Sequence, residues 1–217
     1  MSNTLRYNNT IPSNIYYGGS TVQNVYYNNT KVWSASPLSG TLSVGNTVTF
    51  DNRIWRVVHN DGNKWYLGLE TMIETCLFYR ADSYGDYGMF YDYRHGSIIS
   101  DIRQKCLNYI NTFSDVAQNM IVPTTLSMVA YDYNPNGYYD LNDKVFIPSY
   151  EMIKTDFSWY VNEGHRACTL NGTPYTWWLS SSVGKEPRYI QTSGSVYNSR
   201  DKATAYHGFR PHICIQV

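Results

Sequence analysis

The chain contains 217 residues, and its 17 lysines and arginines are balanced by 17 aspartates and glutamates, so its formal net charge is zero. Charged residues make up only 16% of it, against roughly 25% in an average soluble domain, and its 22 tyrosines outnumber the basic residues. A neutral chain without a basic run is poorly suited to bind nucleic acid, and no apolar stretch approaches the roughly 18 residues of a membrane span. The aromatic content is too high for a disordered protein. We therefore expect a folded protein that neither binds nucleic acid nor inserts into a membrane.

The start of the chain, residues 1–7, has neither the basic region nor the apolar core of a secretory signal. This predicts synthesis in a cytoplasm, unless a signal has been removed. The four cysteines are widely spaced and form no Cys-x-x-Cys pair, which disfavours a zinc site. We expect each cysteine to be a small core residue. The sequence leaves open whether one pair of them forms a disulfide.

Residues 7–33 repeat with a period of ten. Tyr-Asn-Asn-Thr at 7–10 and 27–30, and Tyr-Gly-Gly-Ser at 17–20, alternate with short β-branched and aromatic runs. Asn-Asn and Gly-Gly pairs tolerate the positive φ of tight turns, and the runs between them suit strands. We predict three short strands in a meander or stacked repeat, too small for a core of its own. The repeat resembles short repeats of phage and prophage tail proteins, and it is either an attachment or trimerisation module or a β extension of the main domain.

A polar linker at 34–40 separates this repeat from the rest of the chain. We place an N-terminal β module at 1–36 and a main domain at 37–217. Alternating apolar residues predict an antiparallel meander at the start of the main domain, with strands at Thr47–Phe50, Ile54–Val58 and Trp65–Leu69. Further short strands are predicted at Asp143–Ser149, Trp177–Ser180, Arg188–Ile190 and around Ile213 and Ile215.

A helical period appears within residues 98–120. Ile98, Ile102, Cys106 and Ile110 recur at four-residue intervals, and Ser97 or Ser100 is suited to cap the start of the helix. A second short helical piece is predicted at 114–120.

Several motifs follow one another in a characteristic order. They are Val48–Phe50 with Trp55–Val58, Ser100–Arg103 with Leu107–Asn108, Asp143–Ile147, Trp177–Leu179, Gly194 and Gly208–Pro211. Over residues 40–217 this order resembles the domain of unknown function 6273 family, a bacterial and phage family related to C-type lectin-like folds. The closing Gly-Phe-Arg is also similar to formylglycine-generating-enzyme-like domains and to the variable proteins of diversity-generating retroelements. The resemblance implies an α+β, C-type lectin-like domain whose long loops present the binding residues.

Residues 132–143 have the spacing of a calcium loop of the EF-hand kind. Oxygen ligands would come from positions one, three, five, nine and twelve and from the carbonyl at position seven, with glycine at six. The corresponding residues are Asp132, Asn134, Asn136, Tyr138, Asp140 and Asp143. The alternative is a polar, turn-rich loop with incidental spacing, because position twelve is not the usual glutamate and position eight is tyrosine.

Other chemistry finds little support in the sequence. Glu186-Pro187 is followed by Arg188, and no Trp-Asn-Asp exists, so a lectin-type calcium site for sugars is disfavoured. The five histidines have no nucleophile or carboxylate arranged around them, and Cys168 and Cys214 do not match the spacing of a reactive cysteine pair. We therefore expect no enzyme.

Three segments rich in tyrosine and small polar residues remain, at Tyr79–His95, Tyr131–Tyr139 and Val183–His207. Antibody loops use this composition, because tyrosine offers a large amphipathic contact area at low entropic cost. The alternative is that the tyrosines pack loops onto the core. The predicted ligand-binding residues come from the third segment and are Lys185, Glu186, Arg188, Tyr189, Tyr197, Asn198, Arg200, Asp201 and Tyr206.

These features favour a receptor-binding protein of a phage or prophage tail, located on the virion. Its N-terminal module would bind other tail proteins, or further copies of the chain in a homotrimer. Its main domain would recognise a bacterial surface protein or glycan. The alternative is a structural virion component, such as a head decoration or tail subunit, that binds no receptor.

Overall fold

The computed structural model describes residues 15–17, 20–22, 24–27, 30–34, 37–79, 91–93, 98–130, 137–183, 186–197 and 205–216. Within these ranges the strands are, in chain order, β1 (Tyr16–Tyr17), β2 (Ser20–Thr21), β3 (Asn24–Tyr27), β4 (Thr30–Ser34), β5 (Leu38–Ser39), β6 (Thr47–Phe50), β7 (Arg53–Asn60), β8 (Lys64–Leu69), β9 (Glu74–Leu77), β10 (Asp92–Tyr93), β11 (Ile98–Ile99), β12 (Ile121–Val122), β13 (Thr124–Ala130), β14 (Gly137–Asp143), β15 (Val145–Phe146), β16 (Cys168–Leu170), β17 (Thr173–Tyr175), β18 (Trp177–Val183), β19 (Glu186–Ile190), β20 (Val196–Tyr197), β21 (Tyr206–Phe209) and β22 (His212–Gln216).

Two short α-helices lie between β11 and β12, where the helical period predicted them. The helices are α1 (Asp101–Tyr109) and α2 (Asp115–Met120). The hydroxyl of Ser100 accepts a hydrogen bond from the backbone N–H of Arg103, so the predicted cap is confirmed. The remaining helical turns are Ile110–Thr112 and Glu163–Arg166, both 3₁₀, and Met152–Asp156, a π turn.

The larger sheet has seven strands, which follow the order β12-β22-β8-β7-β6-β5, with β15 also paired to β22. Every pairing in it is antiparallel, and the sheet curls into a half-barrel. The meander predicted at the start of the main domain forms its β6-β7-β8 portion. Its inner face carries fully buried residues such as Phe50, Trp55 and Leu67.

The second sheet has five strands in the order β20-β19-β18-β21-β9, and only the β18–β21 pairing is parallel. Trp177 and Trp178 are neighbours on β18, so they point to opposite faces, yet both are fully buried. Trp177 packs against Tyr160 and His212, whereas Trp178 packs against Phe78. The sheet is therefore covered on both faces at its centre.

A buried corner joins the two sheets. Strand β21 ends at Phe209 in one sheet and β22 begins at His212 in the other, so only Arg210 and Pro211 carry the chain across. Arg210 is 2% exposed, and its Nε donates to the Leu69 carbonyl at 2.9 Å. Leu69 is the last residue of β8, and the chain also passes from the larger sheet to the five-stranded sheet between β8 and β9. The Gly-Phe-Arg-Pro motif is thus a structural joint.

The glycine at position 194 is required by close packing of the backbone. Its φ is +93°, and a Cβ built there would lie 2.0 Å from the carbonyl oxygen of Glu163. The turn after β19 therefore packs directly on the backbone of the Glu163–Arg166 turn, and only glycine fits.

The predicted α+β, C-type lectin-like fold class is wrong. The structure is mostly β, with 46% strand and 20% helix, and is built on the curled antiparallel sheet. The helical period of residues 98–120 yields only one nine-residue and one six-residue α-helix. The physical reason is that the Trp-Trp-Leu and Gly-Phe-Arg-Pro motifs, from which the lectin-like fold was predicted, form the interior and the joint of two β-sheets.

The described part of the N-terminal repeat contains four short strands, where three were predicted for the repeat. They pair as two hairpins, β1 with β2 and β3 with β4, because Tyr17 pairs with Ser20 and Tyr27 with Thr30. The Gly-Gly and Asn-Asn residues predicted for the turns, at 18–19 and 28–29, lie outside the described residues. The first strand of the larger sheet is β5, and the boundary at 36/37 stays a prediction.

His212 is a fully buried imidazole at the start of β22. Its Nδ1 lies 3.1 Å from the Arg210 carbonyl oxygen, and its Nε2 lies 2.9 Å from the Tyr160 hydroxyl. Because a carbonyl only accepts, Nδ1 carries the proton of the neutral ring and Nε2 accepts from Tyr160. Burial, followed by the positive charge of Arg210, holds the pKa of His212 well below its ordinary 6.5.

We expect the protein to lose stability as the pH falls below about 6.5. The unfolded chain binds a proton at residue 212 near that pH and the folded chain does not, so the His212 contribution is present above it and is lost below it. The slope should approach about 1.4 kcal/mol per pH unit. Urea unfolding between pH 7.5 and 5 measures it, and His212→Gln should flatten the slope. A wild-type stability that stays constant over this range would contradict the assignment.

Candidate functional site

Two of the predicted ligand-binding tyrosines meet at the edge of the five-stranded sheet. Tyr189 on β19 and Tyr197 on β20 are register partners, so their side chains share one face. Their ring centroids are 5.2 Å apart. Tyr189 is only 8% exposed and Tyr197 is 40% exposed, so the pair leads from the interior to the surface.

His207 and Trp178 continue this contact into the core. The His207 imidazole stacks on Tyr189 with centroids 4.2 Å apart and 16° between planes, and it meets Trp178 edge-on at 4.3 Å. We call Trp178, His207, Tyr189 and Tyr197 the aromatic column. A hydrogen bond joins His207 Nδ1 to the Thr176 hydroxyl, which fixes the ring that supports Tyr189. Tyr197 is therefore the exposed end of a preorganised stack.

Two other predicted ligand-binding residues lie on the opposite face of this sheet. Arg188 precedes Tyr189 and Tyr206 precedes His207, so the pleat turns both away from the column. The Arg188 guanidinium lies 4.0 Å from the centre of the Tyr150 ring, and its buried Nε has no hydrogen-bond partner among the described residues. Tyr206 is 62% exposed. The predicted set is thus divided between two surfaces.

The remaining predicted residues of this set are placed only in part. Glu186 begins β19, and only its backbone is described. Lys185, Asn198, Arg200 and Asp201 lie outside the described residues.

A family model described as Domain of unknown function (DUF6273) matches residues 2–217. The chain belongs to this family. The match includes the N-terminal hairpins as well as both sheets of this DUF6273 protein. No match was found among curated proteins or among solved structures. No helix in the described part of the chain is long and apolar enough to cross a membrane.

The second half of the predicted calcium loop is a strand in this DUF6273 protein. Residues 137–143 form β14, which pairs with β13 in an antiparallel hairpin, and Asp140 is exposed on it. The backbone of Tyr138 lies in this strand, whereas Asp132, Asn134 and Asn136 lie outside the described residues.

Asp143 already has a cationic partner. Its two carboxylate oxygens accept hydrogen bonds from Nε and a terminal nitrogen of Arg103, each at 3.0 Å. Within the residues that the structure describes, no group of three or more histidines, cysteines, aspartates or glutamates could hold a metal ion. The calcium site stays a prediction that rests on residues 132–136.

The four cysteines, Cys76, Cys106, Cys168 and Cys214, are buried and unpaired in this DUF6273 protein, as expected for core residues. Burial raises the pKa of the Cys76 thiol to about 12 and that of the Cys214 thiol to about 11. It also raises the pKa of Cys168. Since the thiolate is the reactive form, these environments disfavour cysteine chemistry at neutral pH.

Two members of the column, Trp178 and His207, and the Thr176 hydroxyl that holds His207 were not among the predicted ligand-binding residues. The local signal for His207 is the two-residue period of Tyr206–Phe209, which places His207 and Phe209 on one face. The partner strands cannot be read from that alternation, because β21 pairs with β9 and β18, far away in sequence.

Proposed function

We propose that this DUF6273 protein is a binding protein of a phage or prophage tail, located on the virion, that attaches to a bacterial surface protein or glycan. The aromatic column carries the proposal. It ends in a tyrosine that is 40% exposed and whose ring is held by packing that extends down to a fully buried tryptophan. A preordered ring loses little side-chain entropy on binding, so its contact area is available for affinity.

The chemistry of this surface suits a neutral partner. Tyrosine offers an apolar ring face together with a hydroxyl that donates and accepts, which fits both protein backbones and sugar hydroxyls. The zero net charge of the chain adds no long-range preference for an acidic or basic partner. Affinity would come from close contact at Tyr197 and from its neighbours in the same segment.

The N-terminal hairpins support attachment to a particle. Tyr17 and Tyr26 are 84% and 60% exposed, although two-stranded hairpins are at best marginally stable alone. Covering these rings with other tail proteins, or with further copies of the chain in a trimer, would stabilise the hairpins. We propose a phage or prophage particle because the repeat resembles short repeats of their tail proteins.

The same exposed tyrosines favour a second candidate, a structural virion component without receptor binding. In that case Tyr17 and Tyr26 would be the functional residues, and the column would only stabilise the main domain. Only the first candidate predicts that a change at Tyr197 weakens cell binding, because only receptor binding uses the exposed ring of Tyr197.

We expect fluorescently labelled protein to bind cells of the bacterium that carries the gene, and Tyr197→Ala to weaken this binding about thirtyfold, as for an interface hot spot. Flow cytometry over a concentration series measures the affinity. Tyr17→Ala is the matched control, because it removes a more exposed ring from the attachment module and should leave cell binding unchanged.

Two results would count against receptor binding, namely no binding by the wild type or equal binding by wild type and Tyr197→Ala. Melting curves of the variants exclude unfolding as the cause. Mass spectrometry of purified particles tests the location independently, and absence of the chain from them would remove both candidates.

A further inference from the structure

A groove lies beside the end of the β7–β8 hairpin, on the larger sheet. Its volume is about 270 Å³, and its lining combines residues of the hairpin, the start of β13 and the Met152–Asp156 turn. The groove shares no residue with the aromatic column. The residues that carry the argument are His59, Asp61, Lys64, Tyr66 and Asp156.

The floor of the groove is aromatic. The rings of His59, Tyr66 and Phe157 pack against one another with centroids 5.2 to 5.9 Å apart. Phe157 is fully buried beneath the other two, while His59 and Tyr66 are half-buried. The groove therefore presents parts of two supported rings to a ligand.

Carboxylates of fixed position border this floor. The Tyr66 hydroxyl donates to Asp61 Oδ2 at 3.3 Å, and Asp61 Oδ1 accepts from the backbone N–H of Lys64 at 2.9 Å. Burial raises the pKa of Tyr66, so the hydroxyl remains a donor. Asp156 is exposed and accepts from Thr155 through one oxygen at 2.7 Å, which leaves its second oxygen for a ligand.

A cationic donor completes the border. Lys64 has no carboxylate partner among the described residues, so its ammonium is available. The Thr124 hydroxyl is buried, so a ligand in the groove does not reach it. Its partner is the Cys214 thiol.

From this arrangement we infer that the groove is a binding site for a single neutral sugar unit. A pyranose can place its apolar face of C–H bonds on the negatively polarised ring face of Tyr66 or His59. Its hydroxyls both donate and accept, so they match carboxylates and an ammonium at once. An anion would face the carboxylates of Asp61 and Asp156, and an organic cation would face the ammonium of Lys64.

The size of the groove limits the ligand. Ligand pockets usually have volumes of about 300 to 1,000 Å³, so about 270 Å³ is suited to one sugar ring and not to an oligosaccharide. The inference goes beyond the proposed function, because it uses other residues on another sheet and would hold even if the aromatic column bound nothing.

Saturation-transfer NMR on the full chain tests this inference with free glucose, galactose, mannose, rhamnose, N-acetylglucosamine and N-acetylgalactosamine. Each sugar is added at about 20 mM, which exceeds a dissociation constant in the millimolar range. At least one of the sugars should then receive saturation from the protein. Asp156→Asn should weaken the binding of that sugar about tenfold, because it removes the negative charge from a group that accepts a hydrogen bond. Asp115→Asn is the matched control, because Asp115 is also exposed and lies on α2, outside the groove lining.

Each alternative outcome overturns the inference. If none of the six sugars binds, or if Asp156→Asn binds as tightly as Asp115→Asn, the groove is not the site. If Tyr197→Ala abolishes sugar binding, the sugar occupies the aromatic column instead. If tetramethylammonium or inorganic phosphate displaces the bound sugar at equal concentration, the ligand class is wrong. Melting curves confirm that Asp156→Asn is folded, and Lys64→Gln supplies a second variant of the groove.

Discussion

Replacing Arg210 by alanine is expected to lower the free energy of unfolding by about 5 kcal/mol, enough to unfold much of a typical domain at 25 °C. The guanidinium donates to the Leu69 carbonyl at 2.9 Å and to the Arg166 carbonyl at 3.2 Å. It also lies 5.1 Å from the centre of the Trp177 ring. Truncation removes two charge-assisted hydrogen bonds and leaves a cavity where the two sheets meet.

Urea unfolding followed by tryptophan fluorescence measures this loss. Arg210→Lys should recover only part of it, because one ammonium cannot reproduce the fork that reaches two carbonyls. Arg53→Ala is the matched control. Arg53 also lies over an aromatic ring, 4.6 Å from the centre of Phe113, but 26% of its side chain is exposed, so its loss should cost about 1 kcal/mol. Equal losses for Arg210→Ala and Arg53→Ala would contradict the structural role of Arg210.

Local elements of the fold could be predicted where one face of an element is buried. In β6, Val48 and Phe50 are buried and their neighbours are exposed, which is the alternation that identified the strand. The Ser100 cap and the buried Ile102 and Cys106 of α1 follow from residue type and spacing in the same way. These signals are local, so they survive without knowledge of the tertiary structure.

The assembly of these elements into sheets could not be predicted. Arg210 bonds a carbonyl 141 residues away, and no local pattern encodes that contact. Trp177 and Trp178 show no alternation because both faces of their sheet are covered. The order of motifs therefore identifies the family correctly, while the lectin-like fold drawn from the same motifs is wrong.

Only part of the candidate site could be predicted, because contacts between strands that are distant in the chain leave no local pattern. Composition singled out the segment that holds Tyr189 and Tyr197 as a source of binding loops, although Arg188–Ile190 within it was predicted to be a strand. Most of its described residues are in strands, so the pleat sends Tyr189 and Arg188 to opposite faces. The support of Tyr189 by His207 depends on the strand order of the sheet, which the composition of one segment cannot provide.

Replacing Asp143 by alanine is expected to cost about 3 to 5 kcal/mol, because it leaves the Arg103 guanidinium buried without its bidentate carboxylate partner. The two side chains are 2% and 10% exposed, and their bond ties α1 to the end of β14. The double variant Arg103→Met with Asp143→Leu should recover most of the loss, since an apolar pair avoids the desolvation of two charges. Urea unfolding of the single and double variants completes the cycle.

The same variants separate the ion pair from the predicted calcium site. If Asp143 acts through Arg103, Asp143→Ala loses the same stability in excess calcium and in chelator. If Asp143 is a calcium ligand, the loss is larger in calcium, because a bound ion stabilises only the folded state. Asp140→Asn is the matched control: it changes an exposed carboxylate on the same strand and should matter only when calcium is bound. Because both oxygens of Asp143 are already hydrogen-bonded to Arg103, we expect equal losses in the two conditions.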